Sequence, residues 1–111
     1  MLSLISLDEI KPMLRIDGDE SDPMLMILIG AASAAVMRYL DTRAPIYVAL
    51  DADGALAPGA TVPAEIKVAV AGLVGHYFDH PAEDPEQVFG HGRLPFFVTA
   101  ILYPMRDPAL A

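Results

Sequence analysis

The amino-acid sequence predicts an all-α fold: a small bundle of two longer central helices plus short N- and C-terminal helices, with an irregular or hairpin-like excursion at about 41–62. Three features carry this reading. Residues 23–40 form an uninterrupted, largely apolar helical stretch behind an acidic turn, with a proline at its start. Thr61-Val62-Pro63-Ala64-Glu65 opens a second long helical stretch that reaches about Asp79. Ser6-Leu7-Asp8-Glu9 has the spacing of a capping box, a signature of a helix start. A chain of 111 residues has room for one domain over 1–111 and one modest core.

In chain order, Ser6 is the N-cap of a first short helix over about 7–15. Glu9 stands at N3, and Ile5 and Ile10 take the positions of a hydrophobic staple. Pro12 predicts a kink, or a single turn continued by a second, because an interior proline loses one backbone hydrogen bond. Asp17-Gly18-Asp19-Glu20-Ser21-Asp22 is a turn leading into the second helix. Asp22 or Ser21 is placed to cap it, with Pro23 at the first helical position and the carboxylates at the positive end of the helix dipole. Leu25 to Ile29 are consecutive apolar residues, so this helix is hydrophobic on every face and is expected to be buried all round. Prolines at 45 and 58 and glycines at 54 and 59 turn 41–62 into a loop, with Ile46–Leu50 a candidate short strand pairing with Ala55-Leu56.

The third helix runs through Ile66, Val70, Leu73, Val74 and Tyr77, with Ala69, Ala71, Gly72 and Gly75 small enough for a neighbouring helix to approach closely. Residues 81–94, rich in proline and glycine, are expected to be a flexible loop. A last helix over 95–104 begins at Leu94-Pro95 and is ended by Pro104. A helix so short does not stabilise itself, so it must dock on its own domain or on a partner.

Composition narrows the function. The hydrophobic fraction is 54% and the mean hydropathy +0.42, leaving surplus apolar surface for a membrane or for other chains. The longest charge-free run, Pro23 to Met37, is about 15 residues. Roughly 20 are needed to cross a bilayer. The N-terminal segment carries Asp8 and Glu9 and lacks a basic region, so it reads as neither signal nor anchor, and the chain as soluble at synthesis. Net charge is −8, from 15 acidic and 7 scattered basic residues, which disfavours sequence-specific DNA binding. The absence of cysteine excludes disulfides and thiolate metal sites.

The chemistry-bearing candidates each have a plainer explanation. His76 and His80 share a helix face, with Asp79 between them and His91 beyond, but the zinc-protease glutamate is missing. A helix-end histidine and a partly buried His76 account for them. Asp51-Ala52-Asp53-Gly54 starts like a calcium loop, yet positions six and twelve are Leu56 and Val62, so it reads as a turn. The acidic run Asp17, Asp19, Glu20 and Asp22 reads as a solvated helix start. No cofactor is implied. Met24, Met26 and Met37 suit either an adaptable binding face or a core.

The order of elements is similar to that of a known family. Leu7-Asp8-Glu9-Ile10-Lys11-Pro12-Met13-Leu14-Arg15-Ile16-Asp17 precedes an acidic turn and a long Ala-rich helix ending Arg38-Tyr39-Leu40. Val62-Pro63-Ala64-Glu65-Ile66-Lys67, Gly75-His76-Tyr77-Phe78, Leu94-Pro95-Phe96 and Leu102-Tyr103-Pro104-Met105-Arg106 follow. This resembles the head–tail connector, or adaptor, proteins of tailed phages of the HK97 type, prophages and gene transfer agents, from which it departs at Pro12 and in a longer 41–62. The resemblance implies an all-α, non-enzymatic virion protein that assembles in the bacterial host cytoplasm. It implies a homo-oligomeric ring, usually twelvefold, between the portal protein and a stopper or tail-completion protein, extending the channel for passing DNA. It also implies portal contact by the C-terminal segment, which makes Phe96, Phe97, Ile101, Leu102, Tyr103 and Arg106 the candidate contact residues. Two other readings remain open: a small acidic regulatory protein acting on a basic protein partner, and a metal enzyme using His76, His80 and Asp79.

Overall fold

The computed structural model describes residues 2–79 and 96–106. Helix α1 (Leu7–Leu14) starts as its capping box dictates: the Glu9 N–H donates to Ser6 Oγ at 3.1 Å, and the Ser6 N–H donates to Glu9 Oε1 at 3.1 Å. Ile5 and Ile10, the staple positions, are both buried. The helix continues through Pro12 to Leu14. The bond that Pro12 lacks would have gone to the carbonyl of Asp8; both residues are exposed, so water can replace it. Arg15 then adopts the left-handed conformation at φ 58°, and the Ile16 N–H donates to the Lys11 carbonyl at 2.9 Å, which closes the C-terminus.

Helix α2 (Asp22–Leu40) has Ser21 at its N-cap position, but the residue is helical in conformation and makes no side-chain capping bond. The dipole is served instead by Asp22 in the first turn, whose carboxylate also holds Lys11 of α1. The expectation of burial all round is corrected: Leu25, Leu28, Ile29, Ala32, Val36 and Leu40 are buried, while Met24, Met26 and Ile27 are exposed. Asp41, at φ 51°, ends α2 and leads through a 3-10 turn (Asp41–Arg43) into the four-residue α3 (Ala44–Tyr47).

The excursion over 41–62 therefore combines a helical turn with a hairpin. Ile46 and Tyr47 belong to α3, which corrects the candidate strand at its first half. Pairing survives as one antiparallel bridge between Leu50 and Leu56, flanked by Asp51 N–H to Ala55 carbonyl at 2.8 Å and Ala57 N–H to Ala49 carbonyl at 3.0 Å. Asp51 Oδ1 accepts from the N–H groups of Asp53 at 2.8 Å and Ala55 at 3.1 Å. Gly54 takes the positive φ of 82° that this turn needs.

Helix α4 (Ala64–Asp79) begins with the Pro63 carbonyl accepting from the Ile66 and Lys67 N–H groups. Helix α5 (Phe96–Arg106) runs through Pro104 rather than stopping at it. As in α1, the proline and the residue whose carbonyl it leaves unbonded, Ala100, are both exposed. The all-α bundle is built around α2 and α4, with α5 laid mainly on α4 and α1 closing one side. Ile66, Ala69, Val70, Leu73 and Val74 of α4 meet the inward residues of α2, and Val98, Leu102 and Met105 of α5 join the same core. The smallness of Gly75 is used: a Cβ there would lie 2.8 Å from Leu14 Cδ2. One buried polar group, Ser33, accepts the Leu4 N–H at 3.0 Å and pins the N-terminal segment to α2.

Candidate functional site

Two ionic clips fix the helices that carry the outer surface. Lys11 of α1 reaches Asp22 Oδ1 at 2.8 Å and Asp19 Oδ1 at 3.2 Å, so α1 is tied to the start of α2. The bond to Asp22 holds the Lys11 ammonium above its ordinary pKa. Lys67 of α4 pairs with Glu9, the same carboxylate that closes the capping box. That lysine, followed by the Ser6 N–H, holds Glu9 below the usual carboxylate range. Beside this clip lies a cleft of about 300 Å³, whose Glu9, Lys67 and Ser6 are engaged with one another or in capping.

The histidine cluster is not assembled among the described residues. His76 is half-buried on α4 and has a partner of its own; His80 and His91 lie outside the described residues, as does the side chain of Asp79. Asp51 spends its carboxylate on the hairpin turn, so the calcium-like motif is a turn. The acidic run is partly consumed as well, through Asp19 and Asp22 on Lys11.

The candidate contact residues of the C-terminal helix divide by face. Leu102 is fully buried in the protomer's own core and anchors α5, so it is not presented to a partner. Ile101 is partly buried against that core, and Tyr103 is exposed, beside Pro104 over a shallow depression. Phe96, Phe97 and Arg106 belong to α5, but their side chains lie outside those described.

Sequence reasoning missed the outer face of α2. At 3.6 residues per turn, Pro23, Ile27, Ala34 and Arg38 fall opposite the buried stripe, with Met24 and Met26 at its two edges. Exposure is 53% at Met24, 55% at Met26 and 66% at Ile27. Where this face ends, an open groove of about 600 Å³ begins, lined by Arg38 and Asp41 together with Met37, Ala44, Pro45, Val48, Ala49 and Leu50. Exposed Ile46 lies in α3 between two of the groove's lining residues. Isolated apolar side chains on a surface are ordinary, whereas a contiguous apolar patch is a common mark of a contact surface.

The continuous helical run Asp22–Tyr47 is long and apolar enough, by length and composition, to cross a membrane. It is longer than the charge-free run of about 15 residues because it passes through Arg38, Asp41 and Arg43. Of its most apolar window, 44% is buried against the rest of the protein.

Comparison with known proteins agrees with a surface built for contact rather than catalysis. The family of phage gp6-like head-tail connector proteins matches residues 4–104, from the segment pinned by Ser33 to Pro104 of α5. No curated protein and no solved structure matches the chain. A match extending over nearly the whole sequence, on an all-α bundle, settles the family: this chain belongs to the phage gp6-like head-tail connector proteins.

Proposed function

We propose that this chain is a structural virion protein, one subunit of a twelvefold connector ring that joins the portal to the stopper or tail-completion protein. The family match over residues 4–104 is the observation that carries the reading. The unpartnered apolar face of α2 supports it, because a ring subunit has two different faces to bury against its neighbours. The ring extends the DNA channel, and a chain of net charge −8 gives it a wall that repels passing phosphates and binds no particular sequence. It forms in the bacterial host cytoplasm and resides at the head–tail junction. Tyr103, with Phe96, Phe97, Ile101 and Arg106, presents α5 to the portal, while Leu102 fixes the helix in place.

Light scattering and negative-stain imaging of the purified protein, alone and with the portal protein of the same particle, test this. Rings, or decoration of the portal by the chain, are expected. A monomer that joins neither portal nor assembled particles would overturn it.

A further inference from the structure

The residues before the acidic turn lie on the bundle as an arm with a seat of its own. Leu4, Ile5 and Ile10 are buried there, and Leu7 and Leu14 are partly buried. Three polar ties cross from arm to bundle: the Leu4 N–H to Ser33 of α2, Glu9 to Lys67 of α4, and Lys11 to Asp22 at the start of α2. Leu14 fills the space that Gly75 leaves open, where a Cβ would lie 2.8 Å from its Cδ2. The seat is therefore complementary to residues 2–14 of this chain, and every copy carries both halves.

Residues 15–21 link the arm to α2 and fold it back under strain. Arg15 takes φ 58°, which the side chain of an L-residue opposes, and Gly18 takes φ 81°. Exposed Asp17, Asp19 and Glu20 crowd this turn with like charge just before Asp22, and Lys11 holds Asp19 and Asp22 of the four. Drawn out, residues 15–21 span about 23 Å. The shortest dimension of the molecule is 22 Å, so the arm reaches the seat of a copy packed alongside.

We propose that on assembly residues 2–14 leave their own bundle and occupy the same seat on the next copy, so that arms passed one way around link the subunits. This rests on the ring reading and adds the element that is exchanged. Lys11 and Glu9 then pair with Asp22 and Lys67 of the neighbour. The buried contacts are remade unchanged, so the exchange needs no further complementary surface. It differs from the folded-back form in the link, which releases Arg15 and draws its carboxylates apart. Copies held side by side present their seats at high local concentration, which offsets the repulsion between chains of net charge −8.

Because the chain has no cysteine, an engineered disulfide reports which bundle holds the arm. Leu14 and Gly75 face each other across the seat, so the L14C/G75C variant is oxidised after assembly, alone or on the portal, and run denatured without reductant. A covalent ladder of multimers is expected, collapsing to monomer on reduction. A mixture of the L14C and G75C single variants should give the mixed dimer. The E9C/K67C variant, joined by a short bismaleimide at a partly exposed pair, reads the same contact should the first pair disturb packing. Rings whose chains carry the link only within themselves would overturn the exchange and leave the ring reading intact. Products that stop at the dimer would overturn one-way passing in favour of reciprocal pairing. A monomer with only the internal link, with or without portal, would overturn both readings.

Discussion

Replacing Ser33 with alanine removes one oxygen from the centre of the bundle. The Leu4 N–H that it accepts at 3.0 Å then has no partner in a site where Ser33 and Leu4 are 0% and 1% exposed. Leaving a buried donor unsatisfied costs about 1–3 kcal/mol. Alanine is the better helix former by about 0.5 kcal/mol, which offsets part of this and leaves a net loss of roughly 0.5–2.5 kcal/mol. In a domain near 100 residues each kcal/mol moves Tm by about 4 °C or more, so a fall of roughly 2–10 °C is expected. The N-terminal segment cannot escape cheaply by peeling away, because re-exposing Leu4 and Ile5 costs about 1.5–3 kcal/mol apiece. Thermal melts of S33A against wild type, with exposed S3A as control, measure the loss, and hydrogen exchange at the Leu4 amide locates it. An unchanged Tm with a still-protected Leu4 amide would refute the assignment of this bond.

Three further outcomes are expected. Glu9→Gln keeps the capping geometry and removes the charge facing Lys67. Since the folded pKa of Glu9 lies below its ordinary 4.5, its contribution is present above that value and is lost as pH falls through the lowered one. The pair is partly exposed, so urea titrations should show E9Q weaker by less than about 1 kcal/mol at neutral pH, with the gap closing in acid. Arg15→Gly relieves a left-handed residue at the end of α1 and should raise stability by about 0.5 kcal/mol in the same titrations, after the extra entropy of glycine is deducted. Leu28 and Ile27 adjoin in sequence but are 4% and 66% exposed. Leu28→Ala should cost about 2–5 kcal/mol in a denaturant melt. Ile27→Ser should move stability by no more than about 0.5 kcal/mol while reducing assembly in a sizing experiment.

What was legible in the sequence is what short-range chemistry decides. Ser6 and Glu9 set the start of α1 through bonds spanning three residues, and Asp51 and Gly54 set their turn within five. Misreadings arose where the outcome depends on which way a residue faces. Pro104 reads as a stop, yet it sits on an exposed face of α5 where water can reach the carbonyl it leaves unbonded, and the helix runs on to Arg106. Ile46 and Tyr47 suit a strand by composition, but Pro45 at the start of α3 and the turn from Asp41 place them in a helix. Leu102 and Tyr103 are neighbours of similar bulk, and only the packing of α5 on α4 makes one an anchor and the other a surface residue. The Ser33–Leu4 bond joins residues 29 apart, which no local pattern reveals.

The same logic explains why α2 was the hardest element to read and the most informative. An amphipathic helix announces its inward face by contrast with a polar outer one. Here that contrast is missing, because Met24, Met26 and Ile27 outside are as apolar as Leu25, Leu28 and Ile29 inside. An apolar outer arc costs solubility unless it is covered, and here it persists on a helix that already supplies about a third of the described core. Lipid would need the opposite arrangement, with the charged Arg38, Asp41 and Arg43 turned away into protein. The low amphipathicity of this helix therefore has a physical cause: an inner face that builds the core of the subunit, and an outer arc at Met24, Met26 and Ile27 that is apolar as well.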